Sequence, residues 1–214
     1  PSSPIEYAFD KIHVDISGVA YNLINSLHTL GDEIVPVTLI GKDNVSEIIK
    51  TKLEQLSFTT EYIRNDLEHT CTSVVLYDEK GARKIYCDLK DIQSRVVPFA
   101  QIKEAAMSCD GLIICNINFN DELIRQAKSL NKPVFTDVHV LCDINDEYNS
   151  RFLENADVVF LSDEGLPCEP EIFIQSIYDK YHNKVIVLGQ GAKGALLFEG
   201  EQGTFTSVPS VYTR

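Results

Sequence analysis

GLIIC at residues 111–115 is the first of three short apolar runs in the second half of the chain. The other two are VVFL at residues 158–161 and VIVL at residues 185–188. A strand that is buried on both faces reads as such a run, which is typical of a parallel sheet with helices on each side. The segments between the runs read as helices, which supply the crossovers that parallel strands need. The runs therefore predict an α/β fold with three layers, α/β/α, and a mainly parallel sheet.

The remaining elements follow from hydrophobic period and from Gly, Pro, Asn and Asp at their ends. Strands are predicted at residues 34–40, 73–77, 84–87, 111–115, 134–137, 158–161, 185–188, 195–198 and 204–208. Helices are predicted at residues 19–30, 45–56, 99–108, 121–130, 145–154 and 169–182. The 214 residues read as a single domain.

One segment, TCTSVVLYDEKGARKIYCD at residues 70–88, departs from the alternation of strand and helix. Two alternating runs flank the turn Asp-Glu-Lys-Gly at residues 78–81, which predicts a β-hairpin. Val74 and Leu76 fall on one face of this hairpin, and Val75 falls on the other. We expect a small antiparallel sheet beside the main sheet, to which residues 5–16 add another strand.

Charge and cysteine spacing limit the partners and the compartment. The formal net charge of −13 gives a field that repels nucleic acid and anionic membrane surfaces. No apolar run reaches the roughly 18 residues that a membrane-spanning helix needs, and the first residues lack the pattern of a signal peptide. The six cysteines show no C-x-x-C spacing, so we expect no zinc site and reduced thiols in a cytoplasmic protein.

A glycine stands at the start of the first predicted helix. Gly18 precedes residues 19–30, and a glycine at a helix start lets a ligand approach the backbone closely. Asn22 follows one turn later, where its amide can donate to and accept from a ligand hydroxyl. The alternative is a helix start at which Gly18 only eases packing.

The order of several motifs resembles the ribokinase (PfkB) family of carbohydrate and nucleoside kinases. The first motif is G-x-x-x-N at residues 18–22, followed by a helix that ends at Leu-Gly and a strand that ends at Ile-Gly-x-Asp. The D-x-x-G-x-R run at residues 78–83 resembles the turn of the β lid in that family. The strand that ends at Asp137 and the segments at residues 158–161 and 185–211 also come in the family order.

This resemblance implies an enzyme that transfers the γ-phosphate of ATP to a hydroxyl of a sugar or nucleoside, with Mg²⁺ bound. Gly18 and Asn22 would bind the acceptor. Asp137 ends a strand at the edge where open α/β sheets bind ligands, so we expect it to orient the substrate or the lid; an Asp that only caps the strand end is the alternative. Lid strands at about residues 5–17 and 70–92 would cover the acceptor. Lid sheets in this family often pair between subunits, so the resemblance also implies a homodimer.

Several positions depart from the family pattern. Ser17 stands where the family has the first of two glycines, and Ser162 and Gly165 replace the named residues of its N-x-x-E motif. Gly189 replaces a Thr expected near the nucleotide phosphates. The G-A-G-D loop with the catalytic Asp is expected beyond the last residue and the first strand before residue 1. We therefore expect a domain that lacks its C-terminal part and contains no catalytic residue, with a non-catalytic sugar- or nucleotide-binding regulator as the alternative function.

Two further groups of residues are candidates for cofactor binding. Asp163 and Glu164 are the predicted metal ligands, because carboxylates can hold a hydrated Mg²⁺; an acid pair at a helix start is the alternative. A second metal hypothesis uses loop acids and an imidazole that follow the strand at residues 134–137; the alternative, which the sequence favours, is that these are ordinary loop acids without a metal. Its members are Asp137, His139, Asp143 and Asp146.

A rival motif is the G-x-G-x-x-G run formed by Gly189, Gly191 and Gly194. This run is the dinucleotide fingerprint of NAD-dependent oxidoreductases, which requires a helix directly after the glycines. The sequence that follows, at residues 195–208, reads as a second hairpin and disfavours that function. We expect the three glycines to form a tight turn beside the nucleotide.

Overall fold

The computed structural model describes residues 5, 7–79 and 81–211. Among the described residues, no helix has the length and apolar character that crossing a membrane requires. The helices are α1 (Val19–Leu30), α2 (Asn44–Gln55), α3 (Phe99–Ser108), α4 (Asp121–Ala127), α5 (Glu147–Leu153) and α6 (Pro170–Tyr181). The strands are β1 (Thr38–Leu39), β2 (Ile63–Arg64), β3 (Thr72–Tyr77), β4 (Arg83–Asp88), β5 (Leu112–Ile113), β6 (Val134–Asp137), β7 (Val158–Ser162), β8 (Val185–Gly189), β9 (Ala195–Glu199) and β10 (Thr204–Val208).

The main sheet has six strands in the order β10-β9-β8-β7-β6-β5. Strands β5 to β8 pair in parallel, and β9 and β10 extend the sheet from β8 in antiparallel fashion. Helices α4, α5 and α6 connect the parallel strands, because a parallel pair needs a crossover. The predicted α/β architecture with a mainly parallel sheet is confirmed.

One face of the main sheet carries the hydrophobic core. Val159 and Ile186 of the central strands are fully buried on this face. The helix residues that close the core are Ile102, Ile124, Phe152, Ile174 and Ile177. Leu39 of β1 belongs to the same core, so the short sheet formed by β1 and β2 shares this core with the main sheet.

Helices α1 and α2 pack on the other side of the short sheet. Leu39 contributes to the main core, whereas Ile40 directly after it contributes to a smaller cluster with Leu53 and Phe58. Successive residues of a strand point to opposite faces. Helices therefore lie on both sides of the sheet layer, which gives the three-layer arrangement.

The second face of the main sheet is apolar but only partly covered by the described residues. Ile113 of β5 and Phe160 of β7 are 47% and 39% exposed, and Phe135, Val187 and Leu197 are half-buried. The strand register places these side chains on one face, since Ile113 pairs with Phe135, and Val187 pairs with Phe160 and Leu197. We call these five residues the open face.

The predicted hairpin is confirmed as a separate two-stranded sheet of β3 and β4. The N–H of Asp78 donates to Ala82 O (2.9 Å), and the Asp78 carboxylate accepts the N–H of Ala82 (2.8 Å). Gly81 adopts a φ of +80° in this turn, a conformation that glycine reaches without steric cost. Every residue of both strands is exposed.

The strand predicted for residues 5–16 is absent from the described residues 7–16. Tyr7, Phe9, Ile12 and Val14 are 76% to 90% exposed there. The alternating pattern is present in the sequence, but the apolar side chains find no surface that would bury them, and burial is what stabilises a strand of this kind.

Several other observed element boundaries differ from the predicted ones for local structural reasons. The strand predicted at residues 34–40 shortens to β1, since Pro36 has no N–H for a ladder. Helix α5 begins later than predicted because the carboxylate of Asp146 caps it by accepting the N–H of Tyr148 (2.7 Å). Lys128–Leu130 forms a 3-10 turn after α4 rather than a further helical turn. Strand β2, which has two residues, was not predicted.

Candidate active site

The loops that follow β6, β7 and β8 are joined at the carboxyl edge of the main sheet. Asp137 ends β6, Ser162 ends β7 and Gly189 ends β8. The N–H of Ser162 donates to His139 O (2.6 Å), and the N–H of Asp163 donates to Gly189 O (2.9 Å). The residues predicted in these three loops therefore lie side by side, at the edge where open α/β sheets bind ligands.

Asp137 has one carboxylate oxygen in use and one free. Its Oδ1 accepts the N–H of His139 (2.8 Å), and His139 Nδ1 lies 3.7 Å from the same oxygen. His139 has a φ of +59°, which turns the chain at the end of the strand. Oδ2 accepts no hydrogen bond from the described residues, so it is available to a ligand hydroxyl.

Cys115 follows β5 and lies within electrostatic range of Asp137. Burial, followed by the negative charge of Asp137, raises the pKa of the Cys115 thiol to about 11. Cys115 is therefore a neutral thiol at pH 7 and does not act as a nucleophile there. The side chain lines the strand ends as a small apolar group.

The glycine run at the end of β8 forms a tight turn and leads directly into β9. The N–H of Gln190 donates to Gly194 O (2.8 Å), and Gly191–Lys193 is a 3-10 turn. Gly194 has a φ of +97°, and a Cβ there would lie 2.0 Å from Val208 O. A strand follows where the dinucleotide fingerprint needs a helix, so the structural basis of the oxidoreductase alternative is missing.

Asp163 and Glu164 are exposed after β7. The N–H of Glu164 donates to Ser162 Oγ (3.2 Å), and neither carboxylate takes part in an ion pair with the described residues. Mg²⁺ is commonly held by one or two carboxylates together with water and substrate phosphates. The two side chains fit a hydrated cation of this kind.

The second metal hypothesis is wrong. In the described part of the chain, no group of three or more His, Cys, Asp or Glu side chains is placed to hold a metal ion. Asp143 Oδ1 accepts the N–H of Asn145 (2.8 Å), and Asp146 caps α5. These carboxylates serve turns and a helix start instead.

Gly165 is confined by the loop that follows β6. It has a φ of +72°, and a Cβ at this position would lie 3.0 Å from Cys142 Sγ and 3.5 Å from Val140 Cγ1. A side chain here would be strained by its backbone and crowded by both neighbours. The turn after β7 has thus taken a conformation that only glycine fits well.

Gly18 and Asn22 lie on a different element, at the start of α1. Gly18 has a φ of +111°, and its carbonyl accepts the N–H of Asn22 (3.0 Å). The Asn22 side chain is exposed and makes no hydrogen bond with the described residues. No hydrogen bond or ion pair in the described part of the chain joins these two residues to the strand-end loops.

The loop after β5 adds polar groups that the sequence did not predict for the site. Asn116 Nδ2 donates to Asn149 Oδ1 (3.0 Å), and Arg151 Nη2 donates to Asn118 Oδ1 (2.5 Å). Arg151 Nε is buried without a partner among the described residues. The run CNINFN at residues 115–120 was the available signal, because several Asn residues directly follow an apolar strand.

Residues 6–213 match the family model described as pfkB family carbohydrate kinase. The chain belongs to the pfkB family. A curated relative, the bifunctional protein HldE of Aliarcobacter butzleri, is 35% identical to this pfkB protein over 60 residues. That match covers 28% of this chain and spans 13% of the relative's length.

Solved structures share the fold of this pfkB protein. The microbiome-derived acarbose kinase Mak1 superposes with a TM-score of 0.82 at 18% identity, over 97% of this chain and 70% of that chain. The fructokinase from Vibrio cholerae gives 0.70 at 19% identity, over 94% and 75% of the two chains. The nucleoside kinase of Burkholderia thailandensis, in complex with inosine, gives 0.69 at 14% identity, over 97% and 67%. At these identities the likeness shows the ribokinase-like fold.

Proposed function

We propose that the protein transfers the γ-phosphate of ATP to a hydroxyl of a sugar or a nucleoside. The observation that carries this proposal is the free Oδ2 of Asp137 at the joined ends of parallel strands, next to a glycine turn and two exposed carboxylates. Membership of the pfkB family supports phosphate transfer. The names acarbose kinase and nucleoside kinase, borne by proteins of similar fold, support both acceptor classes.

On the acceptor side, Asp137 Oδ2 accepts a hydrogen bond from an acceptor hydroxyl and orients it. The Asn22 amide donates to and accepts from a second hydroxyl. Gly18 leaves room beside it, since nothing lies within 4 Å of a Cβ at that position. The acceptor would then lie between the start of α1 and the carboxyl edge of the main sheet.

On the nucleotide side, the turn of Gly189, Gly191 and Gly194 presents backbone without side chains to the ribose or base. Asp163 and Glu164 would hold Mg²⁺ together with water and phosphate oxygens, and the bound ion neutralises phosphate charge. Such local neutralisation is needed because the chain has a net charge of −13, which repels ATP at long range.

The hairpin β3–β4 is the proposed lid, which covers the acceptor and excludes water. Both of its faces carry exposed apolar side chains, such as Val74 (55%) and Val75 (40%). A strand edge with unpaired backbone groups and apolar faces tends to pair with a strand of another chain. We therefore propose a homodimer in which the hairpins of two subunits pair.

The compartment and the extent of the domain are also proposals. The six free cysteines suit a reducing compartment, so we propose a cytoplasmic protein. The open face is apolar, and parallel sheets are covered on both faces. We propose that the single ribokinase-like domain has a further part that covers the open face.

Calorimetric titration with MgATP, and with a panel of sugars and nucleosides, tests the proposed function. We expect MgATP and one class of acceptor to bind with Kd values of about 1 μM to 1 mM. Mass spectrometry of the acceptor after incubation with MgATP measures transfer. Failure of MgATP and of every acceptor to bind would contradict the proposal, and binding of a nicotinamide cofactor would restore the oxidoreductase alternative.

A second candidate function is a non-catalytic regulator that binds a sugar or nucleotide. It is favoured by the turn after β7, where Gly165 is confined by Cys142 and the family motif N-x-x-E reads Ser-Asp-Glu-Gly. Binding of the acceptor and of MgATP without any phosphorylated product would favour this function. Turnover of ATP that depends on the acceptor would exclude it.

A further inference from the structure

A polar network fixes the start of the hairpin to the end of β1. The Thr70 hydroxyl donates to Asp43 Oδ1 (2.7 Å), and the Thr70 N–H donates to Asp43 Oδ2 (2.8 Å). The same hydroxyl accepts the N–H of Gly41 (3.0 Å). Asp43 also caps α2 by accepting the N–H of Ser46 (3.1 Å). Three hydrogen bonds therefore hold Thr70, two residues before β3 begins, against the loop that follows β1.

The two backbone segments cross closely at Gly41. A Cβ on Gly41 would lie 2.2 Å from the backbone nitrogen of Thr70. On the carbonyl side, Asn65 Nδ2 donates to Gly41 O (2.7 Å). A side chain at this position would push the segments apart, so glycine is needed here for close approach. The Gly-x-Asp spacing thus puts this glycine and the acid that binds Thr70 on one loop.

Few contacts among the described residues support the strands of the hairpin itself. All residues of β3 and β4 are exposed. The two legs are joined where Cys71 Sγ donates to Leu89 O (3.0 Å). The exit leg re-enters the core at Ile92, which is buried. The orientation of the hairpin is therefore set at its base, by Thr70 on entry and by Ile92 on exit.

We infer that Asp43 is a positioning residue that acts through Thr70 to hold the hairpin over the acceptor. The part of this inference that concerns the acceptor rests on the proposed function. The hydrogen bonds from Thr70 lower the pKa of the Asp43 carboxyl. Asp43 is therefore ionised at neutral pH, and the charge-assisted bonds to Thr70 persist there.

Hydrogen exchange on the whole chain tests the attachment itself. Thr70→Val removes the hydroxyl at nearly constant size, and Thr70→Ser retains it. We expect amides of β3 and β4 to exchange about tenfold faster in T70V, with amides of β7 and β8 unchanged and T70S close to the original protein. No acceleration in the hairpin, or equal acceleration in the main sheet, would overturn the inference.

Acceptor kinetics supply a readout that a purely structural role would not move. We expect T70V and D43N to raise the KM for the acceptor about tenfold at nearly constant kcat, with T70S retaining the original KM. An unchanged acceptor KM in T70V, despite faster exchange in the hairpin, would overturn the positioning role. If the original protein phosphorylates no acceptor, the proposed function fails, whereas hydrogen exchange still decides whether Asp43 holds the hairpin.

Discussion

Asp137 is the single residue on which proposed acceptor binding depends most directly. Replacement by Asn keeps an oxygen for the His139 N–H but removes the negative charge. We expect acceptor affinity to fall about tenfold or more, because a charge-assisted hydrogen bond becomes a neutral one. Calorimetry measures the affinity, and thermal unfolding checks that the midpoint is unchanged.

A matched control for Asp137 exists in the same loop. Asp143 Oδ1 likewise accepts the N–H of the residue two positions later, Asn145 (2.8 Å). The substitution D143N should leave acceptor affinity unchanged. Equal losses of affinity in D137N and D143N would mean that the loop as a whole, rather than the Asp137 carboxylate, binds the acceptor.

Two glycines with positive φ differ in their surroundings and therefore in their tolerance of alanine. A Cβ on Gly194 would lie 2.0 Å from Val208 O, whereas nothing lies within 4 Å of a Cβ on Gly203. We expect G203A to lower the free energy of unfolding by about 1 kcal/mol, and G194A to lower it by about 3 kcal/mol or more. Urea denaturation measures both, and similar losses would contradict the close packing of the glycine turn on the end of β10.

Secondary-structure elements were predictable where their signals are local. The hairpin came within one residue of its observed bounds, since alternation and turn residues suffice to specify it. Residues 5–16 alternate as well, yet they form no strand in their described part because nothing buries them. Strand β2 has two residues and no periodic signal, so only its tertiary partner β1 defines it.

Substitutions in the hairpin test the proposed dimer. Val74 and Leu76 share one face and are 55% and 52% exposed, so Asp at both positions should not disturb the subunit. We expect the double substitution to convert a dimer into a monomer, because it puts charge into an apolar contact. Light scattering measures the mass.

The control for the dimer places the same charge elsewhere. Ile172 on α6 is 62% exposed and lies outside the hairpin. The substitution I172D should leave the mass at twice that of the single chain. A monomeric original protein, or a dimer that survives both charges in the hairpin, would exclude hairpin pairing.

At the scale of the whole molecule, the sheet and its ligand-binding edge could be predicted from the sequence. Once the strands are assigned, the residues at their carboxyl ends are known. Asp137 and Asp163 could therefore be predicted to lie in neighbouring loops, and hydrogen bonds join these loops in the structure. The close approach of Gly165 to Cys142 could not be predicted, because it depends on how the loops after β6 and β7 pack against each other. The contact of Asn118 with Arg151 could not be predicted for the same reason, although the Asn-rich run at residues 115–120 was a signal for the loop itself.

The open face gives a prediction at the scale of the whole molecule. The 214-residue chain should bind a hydrophobic dye such as ANS, because a contiguous apolar surface is partly exposed. We expect F160E to reduce the dye fluorescence by roughly half. The control V45E changes a side chain of similar exposure (43%) on α2 and should have little effect. Equal fluorescence in F160E and the original chain would place the bound dye elsewhere.

The strand order of the main sheet has a consequence for the growing polypeptide on the ribosome. In this sheet, each strand from β6 to β10 pairs with the strand that was translated immediately before it. Among the described strands of this sheet, none inserts between two strands that were made before it, so each partner is already present when the next strand emerges. During translation, the sheet thus grows only at the edge formed by the most recently completed strand. The unpaired N–H and C=O groups that could pair with another chain at this growing edge belong to a different strand at each stage.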